Sequence, residues 1–132
     1  MPKAIFLDID GTLLSFATRQ VPKSAFDVMY KAKENGIKLF IATGRHKKEL
    51  GIDTFFCSFP FDGYVTQNGA YCYTNDTVVH TSPVQKLTIQ AIIKLIEEDP
   101  FACIFCEENE MFINYIDDIV TGILGMFKLP IH

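Results

Sequence analysis

The stretch KAIFLDIDGTLLSF, from Lys3 to Phe16, decides the fold of this chain. Apart from one acidic residue it is apolar over 4–9, which is typical of a short buried strand that ends at a glycine turn. Two carboxylates, Asp8 and Asp10, stand at the carboxyl end of that run. The stretch therefore predicts a buried strand that carries two acidic side chains where the core stops.

A helix and a second apolar strand follow. The segment 22–36 predicts a helix, because Pro22 suits a first turn and Gly36 a C-terminal stop. Its apolar residues at helical spacing are Ala25, Val28, Met29 and Ala32. The segment 37–43 (IKLFIAT) predicts a second strand. Strand, helix and strand in this order form a βαβ unit, so we expect two neighbouring parallel strands.

The next segment predicts a third strand and a hairpin. GRHKKEL opens a short helix, and 64–66 is apolar enough for a strand. Asn68-Gly69 is a strong turn signal, followed by hairpin strands over 70–73 and 77–80. The chain up to this point is predicted to be an α/β domain with a mainly parallel sheet.

A new pattern begins after Pro83, where we place a domain boundary. Residues 1–83 would form the α/β domain and 84–132 an α+β unit. The second unit is predicted to contain a helix over 86–99, strands over 101–107 and 111–115, and a second helix over 116–127.

Composition limits the partners. The chain has 132 residues, 48% hydrophobic and 21% charged, with a formal net charge of −4. It has no basic run, so nucleic acid and anionic membrane are poor partners. It shows no signal-peptide core and no apolar run near ~18 residues. We therefore expect a soluble, cytoplasmic protein.

Cysteine, histidine and phenylalanine residues are the candidates for alternative sites. The cysteines Cys57, Cys72, Cys103 and Cys106 are interpreted as reduced core thiols, because CIFC lies in a predicted strand, where residues three apart face opposite sides. The histidines His46, His80 and His132 show no ligand spacing and are expected to be surface or structural residues. The phenylalanines Phe55, Phe56, Phe59 and Phe61 are expected to pack in a core under a loop.

The predicted strand ends carry residues suited to phosphoryl transfer. Ligands bind beyond the carboxyl ends of parallel strands, where Asp8 would meet Thr43 of FIATGR. One carboxylate can act as a nucleophile and a second as general acid and base. The Thr43 hydroxyl and the Gly44 N–H can bind a phosphate. Hard oxygen ligands with open positions suit Mg²⁺.

Three motifs in this order resemble a known family. DIDGTLL resembles the DxDGT motif of the haloacid dehalogenase superfamily of phosphohydrolases, and IATGR resembles its second motif. VTQNGAYCY resembles the NGA segment of the Cof-type subgroup, which carries a large C2-type α/β cap after that segment. The resemblance covers 3 to about 115. It implies a partial Rossmann-like α/β core followed by the start of the cap.

The resemblance implies a role for each motif residue. Asp8 would be the nucleophile and a metal ligand. Asp10 would be the general acid/base and would give its backbone carbonyl to the metal. Residues that would hold the phosphoryl group are Gly11, Thr12, Thr43 and Gly44. Arg45 and Asn68 would lie at the rim and help with the substrate. The implied activity is Mg²⁺-dependent hydrolysis of small phosphorylated metabolites, such as a sugar phosphate or a flavin or pyridoxal phosphate cofactor.

Two further motifs of that family have no counterpart here. They supply a lysine and an acidic pair, whereas after residue 116 the chain offers only Lys128, Asp117 and Asp118. The chain thus resembles the first half of a family member. Three alternatives stay open: an enzyme, a truncated non-catalytic fragment, or half of a two-chain assembly. A receiver-like phosphoacceptor fits less well, because DxDGT and a cap-like segment have no place in it.

The missing half also predicts association. A parallel sheet is normally covered on both faces, and half a sheet leaves an apolar edge and face exposed. We expect the chain to associate with a second copy, by swapping, or with a separate chain.

Overall fold

A computed structural model describes residues 2–52, 54–75 and 77–127 of the chain. Its contacts divide the chain into two units, Met1–Ser82 and Pro83–His132. The elements of the first unit are β1 (Ala4–Leu7), α1 (Lys23–Glu34), β2 (Lys38–Ala42), α2 (Lys47–Ile52), α3 (Thr54–Ser58), β3 (Gly63–Thr66), β4 (Tyr71–Thr74) and β5 (Thr77–Thr81). Those of the second unit are α4 (Lys86–Glu98), β6 (Ile104–Cys106), β7 (Met111–Ile113) and α5 (Asp118–Phe127).

The first unit is built on a five-stranded sheet of order β1-β2-β3-β4-β5. The first three strands are parallel, with Phe6 opposite Phe40 and Phe40 opposite Gly63. The hairpin β4–β5 extends the sheet in antiparallel fashion. The α/β class and the parallel pairing of β1 with β2 are therefore confirmed. All three parallel strands end at the same edge, which we call the carboxyl edge.

Helix α1 follows its sequence signals with one exception. Pro22 precedes its first turn, and Gly36 adopts φ = +75° just beyond its end. Met29 is buried, as its position in the apolar stripe predicts. Val28 is 65% exposed, so its assignment to that stripe was wrong. Phe26 packs inward instead, edge-to-face on Phe55, because it lies three residues before the buried Met29 and therefore on the same face of the helix.

Strand β1 differs from the expected buried strand. It ends at Leu7, two residues earlier than predicted, and Ala4 is exposed. Phe6 is 59% exposed, and its ring stacks on Phe40 at 4.9 Å. The reason is position: Phe6 points to the face of the sheet opposite to the core, which Ile5 and Leu7 contact, and β1 is an edge strand, with no strand among the described residues paired to its outer side.

The core lies on one face of the sheet, between the strands and helices α1 to α3. Phe56, Phe59 and Phe61 are buried and Phe55 packs against them, which confirms the core assignment of these rings. The core assignment of the thiols was wrong where the structure describes them. Cys72 and Cys103 are half-buried free thiols, and Cys106 is exposed at the end of a strand that is shorter than predicted. The Cys57 side chain lies outside the described part.

At the opposite, amino edge of the sheet, Asp62 joins three elements. Its carboxylate accepts hydrogen bonds from Lys33 (2.8 Å), Lys38 (3.0 Å) and the Leu39 N–H (2.9 Å). Burial by itself raises the pKa of the Asp62 carboxyl. The hydrogen bonds from the two ammonium groups and the backbone outweigh that effect and bring the pKa from 3.8 down to about 2.

The second unit contains a long helix, a two-stranded antiparallel sheet and a terminal helix. Asn114 bridges the ends of the strands by accepting from the Cys103 N–H (2.7 Å) and donating to the Phe101 carbonyl (3.1 Å). Asp117 caps α5 by accepting from the Val120 N–H at 2.7 Å. Within the described ranges, no helix has the length and apolarity needed to span a bilayer.

Candidate active site

The loop after β1 buries the apolar residues that lie between and beyond its two carboxylates. Ile9, Leu13 and Leu14 are buried, whereas Asp8 is exposed and Asp10 is half-buried. The Ile9 carbonyl accepts from the Thr12 and Leu14 N–H groups, at 3.2 and 2.8 Å. The apolar side chains therefore anchor a tight turn that leaves the Asp8 carboxylate exposed and the Asp10 carboxylate half-buried.

Gly11 makes this turn possible. Its φ is +81°, a left-handed conformation that side chains rarely adopt. A Cβ at this position would also lie 2.6 Å from the Phe16 ring. Glycine is thus required twice, by the backbone conformation and by the close approach of an aromatic ring.

Asp8 has one partner among the described side chains. The Thr12 hydroxyl donates to its Oδ2 at 3.1 Å, so Thr12 contacts the predicted nucleophile in this structure. No hydrogen bond from the described residues reaches the Asp8 Oδ1 atom. The carboxylate is held by one oxygen, and the other oxygen stays open to solvent.

Asp10 is held by Arg45 in a bidentate ion pair. Arg45 Nε donates to Oδ2 at 2.9 Å and an η-nitrogen donates to Oδ1 at 2.6 Å. Both groups are mostly buried, with side chains 15% and 29% exposed. The sequence placed Arg45 at the substrate rim and did not predict this pairing. The signal was weak, because partners 35 residues apart share no local pattern.

The loops after β2 and β3 are joined backbone to backbone. The Asn68 N–H donates to the Thr43 carbonyl and the Gln67 N–H to the Arg45 carbonyl, both at 3.1 Å. Thr43 is buried, and its hydroxyl accepts from the Arg45 N–H at 3.1 Å. These bonds bring the end of β2 and the turn after β3 into one platform at the carboxyl edge.

Gly44 lies directly under the Asn68 side chain. A Cβ on Gly44 would lie 3.2 Å from Asn68 Oδ1. Asn68 itself adopts a left-handed conformation, between Gln67 and Gly69 with the same sign of φ. The turn signal at Asn68-Gly69 therefore corresponds to a left-handed turn that folds the amide over Gly44.

His46 starts helix α2 and is only 3% exposed. Its Nδ1 accepts from the Lys48 N–H (3.1 Å), and its own N–H donates to the Glu49 carboxylate (2.7 Å). This is a variant of the capping box in which histidine replaces the usual serine or threonine and accepts from the second N–H of the helix instead of the third. The sequence predicted a surface or structural role for His46, and the structure shows a structural one. The two hydrogen bonds fix the start of the helix that follows Arg45. His80 is exposed, and His132 lies outside the described residues.

The eight predicted site residues lie in three loops at the carboxyl edge. Asp8 to Thr12 belong to the loop after β1, Thr43 to Arg45 to the loop after β2, and Asn68 to the turn after β3. Arg45 connects the first two loops by its side chain and the second to the third by its carbonyl.

The donors suit Mg²⁺ only in part. The exposed Asp8 carboxylate is a hard oxygen ligand, and a backbone carbonyl such as that of Asp10 is another. Both Asp10 carboxylate oxygens, however, are engaged by Arg45. Among the residues that the structure describes, no three acidic, histidine or cysteine side chains form a metal-binding group.

Comparison with known proteins identifies the family. Residues 5–123 match the family of haloacid dehalogenase-like hydrolases, and the chain belongs to that family. The pyridoxal phosphate phosphatase YbhA of Escherichia coli (strain K12) is 31% identical over 99 residues, which are 73% of this chain and 35% of YbhA.

Solved structures agree. BT1666 of Bacteroides thetaiotaomicron, a phosphatase of the same superfamily, is 35% identical with a TM-score of 0.80, over 98% of this chain and 48% of that one. The subclass IIB sugar phosphatase BT4131 is 34% identical with a TM-score of 0.82, over 98% of this chain and 50% of that one. The chain spans about half the length of these solved relatives and about a third of YbhA. The family resemblance and the fold class deduced from the motifs are confirmed.

Proposed function

We propose that this chain carries the nucleophile half of a phosphohydrolase site for small phosphorylated metabolites. The observation that carries the proposal is the Arg45–Asp10 pair, at 2.6 Å, which ties the DxDGT loop to the loop of Thr43 and Gly44. Two carboxylates, a hydroxyl, a glycine N–H and a guanidinium thereby share one edge of the sheet. The names of the similar proteins point to pyridoxal phosphate and sugar phosphates as candidate substrate classes.

In the proposed reaction, an Asp8 carboxylate oxygen attacks the phosphorus and the bond to the ester oxygen breaks. Protonated Asp10 gives its proton to that leaving oxygen, so the alcohol departs neutral. Asp10 then takes a proton from water, whose oxygen attacks the aspartyl phosphate. Inorganic phosphate leaves, and the Asp8 carboxylate is restored.

Arg45 has a defined part in this scheme. A bidentate guanidinium fixes the orientation of the Asp10 carboxylate. Asp10 must nevertheless be protonated to act as an acid, so the pair has to loosen when substrate binds. The phosphate dianion is a second anion that a guanidinium can bind, and its arrival would compete with Asp10 for Arg45.

The Mg²⁺ part of the proposal rests on Asp8 and the Asp10 carbonyl. The bound ion would offset the repulsion between a phosphate and the Asp8 carboxylate. A unit charge pair at ~4 Å is worth about 4 kcal/mol at an effective dielectric near 20. With no third acid among the described residues, we expect binding of this ion to be weak.

The test is hydrolysis of p-nitrophenyl phosphate with Mg²⁺ by the parent chain and by Asp8→Asn. Asp27→Asn is the matched control, because Asp27 is exposed on α1 and outside the site. Turnover in the parent and the control but not in Asp8→Asn supports the proposal. Equal background in all three would rule out activity of this chain.

A second candidate is one half of a two-part protein, or a fragment that binds without turnover. Within the described ranges no strand pairs with the outer side of β1, and this edge and the exposed Phe6 ring favour association. We expect the purified chain to sediment as a dimer or larger species, or to form a complex with a separate chain that supplies the remaining strands. A clean monomer at all concentrations would argue against this association.

A further inference from the structure

An exposed aromatic ring lies against the loop that carries the two carboxylates. Phe16 is 68% exposed, and its ring edge lies against Gly11, next to Asp10 in the chain. The approach is close enough that a Cβ on Gly11 would lie 2.6 Å from the ring. The mechanism proposed above uses the carboxylates of this loop and gives this ring no role.

The segment around Phe16 holds the ring in place through its own hydrogen bonds. The Ser15 N–H donates to the Gln20 carbonyl (3.3 Å) and the Arg19 N–H to the Ser15 carbonyl (2.8 Å). The Ser15 hydroxyl accepts from the Ala17 N–H at 3.3 Å. The chain on both sides of Phe16 is therefore tied into a compact turn, which presents the ring rather than burying it.

An exposed ring in this place fits an amphipathic ligand. An apolar surface next to carboxylates and phosphate-binding groups matches a molecule with a phosphate at one end and a flat apolar group at the other. Aromatic rings prefer to stack on, or pack edge-to-face against, other flat rings. A polar, saturated sugar gains less from such a neighbour.

We propose that Phe16 is a specificity-determining residue that stacks on the organic group of the substrate. This inference rests on the proposed function and narrows it to phosphate monoesters whose organic group is a planar aromatic or heteroaromatic ring. Phe16 contacts the leaving group, whereas Thr43, Gly44 and Arg45 contact the phosphate. The ring therefore discriminates between esters and does not affect binding of phosphate itself.

The test measures binding rather than turnover, so that it does not require an active chain. In the Asp8→Asn background, pyridoxine 5′-phosphate, glucose 6-phosphate and inorganic phosphate are titrated separately by calorimetry. Pyridoxine 5′-phosphate has no aldehyde and cannot form an imine with lysine. Phe16→Ala should weaken its binding about three- to tenfold, with glucose 6-phosphate and inorganic phosphate changed less than about twofold.

Two further variants control the measurement. Phe16→Leu keeps an apolar side chain without a ring and should lose most of the same preference. Tyr30→Ala removes another exposed ring, on α1 against Phe59, and should change none of the three affinities. Thermal unfolding followed by circular dichroism establishes that each variant is folded.

Every outcome of these titrations either supports or overturns the role of Phe16. Selective loss of pyridoxine 5′-phosphate binding supports the role of Phe16. Equal loss for all three ligands, or no loss, overturns it while leaving the phosphate site intact. If the Asp8→Asn protein with Phe16 intact binds inorganic phosphate but prefers glucose 6-phosphate over pyridoxine 5′-phosphate, the inferred substrate class is wrong. The proposed function is then still supported. If the parent binds none of the three, both proposals fail.

Discussion

The sheet has aspartates at both of its edges, and the two edges hold them differently. At the amino edge, Asp62 accepts from Lys33, Lys38 and a backbone N–H. At the carboxyl edge, Asp10 accepts from a single side chain, Arg45, and its neighbour Asp8 accepts only from Thr12 among the described side chains. Asp62 accepts hydrogen bonds at both of its carboxylate oxygens, whereas no hydrogen bond from the described residues reaches the Asp8 Oδ1 atom.

This difference separates stability from chemistry. A carboxylate surrounded by several donors is stabilised in its charged form and has a low pKa, which is useful for holding elements together. A carboxylate that must attack phosphorus needs an oxygen that accepts no hydrogen bond. A carboxylate that must carry a proton needs an ion-pair partner that can dissociate from it. Substitutions at the two edges should therefore change different measurements.

The largest expected effect is at Asp8. Asp8→Asn removes the attacking carboxylate and should lower turnover of p-nitrophenyl phosphate by about a thousandfold or more. Because Asp8 is exposed, the free energy of unfolding should change by less than ~1 kcal/mol. Steady-state assays and urea unfolding measure both. A large loss of stability would mean that the carboxyl edge also holds the fold together.

Arg45 comes next. Arg45→Met removes both bonds to Asp10 and should lower kcat about 10- to 100-fold. Arg45→Lys keeps the charge but not the bidentate geometry and should recover part of that loss. A role in orienting Asp10 predicts that kcat falls and that the acidic limb of the pH–rate profile changes. An increase in KM alone would place Arg45 on the phosphate only.

Asp62 should show the reverse behaviour. Its folded-state pKa of about 2 lies below the usual 3.8, so its stabilisation is present above that value and is lost as the pH falls from 3.8 towards 2. Asp62→Asn should lower the free energy of unfolding by roughly 1–2 kcal/mol at neutral pH. It should also reduce the change of that free energy with pH in this acid range. Urea unfolding of the parent and the variant between pH 2 and pH 7 measures both effects.

The control for Asp62 lies in its two lysines. Lys33 is mostly buried and Lys38 is 65% exposed, so Lys33→Met should cost more than Lys38→Met. Neither should change kcat. Reduced turnover in the Asp62 variant, measured where it is fully folded, would break the separation between the two edges.

The smallest expected effect is at Gly44. Gly44→Ala places a Cβ 3.2 Å from the Asn68 amide and should raise KM a few-fold, with a stability cost below ~1 kcal/mol. Gly51→Ala is the matched control, since no described atom outside the helix backbone and the chain neighbours lies within 4 Å of a Cβ there, and in α2 it should be neutral or stabilising. Equal KM values for the two variants would mean that Asn68 does not approach the substrate.

The sequence determined the elements and their chemistry, because both are local. Apolar runs and helical spacing predicted the elements of the first unit within a few residues, except helix α3, which was expected to be part of a loop. DIDGT, ATGR and NGA identified residues that all lie at one edge, since parallel strands end together. Gly36 and the Asn68-Gly69 turn followed from backbone conformations that few residues adopt.

Only the tertiary structure decided which side chains meet and which are covered. The apolar sequence of β1 could not reveal that Phe6 is exposed, because burial depends on the strand's neighbours. The Arg45–Asp10 pair joins residues 35 positions apart, and Phe16 reaches Gly11 through a hydrogen-bonded turn. Contacts of this kind depend on how strands and loops are placed in space, which local sequence patterns do not encode.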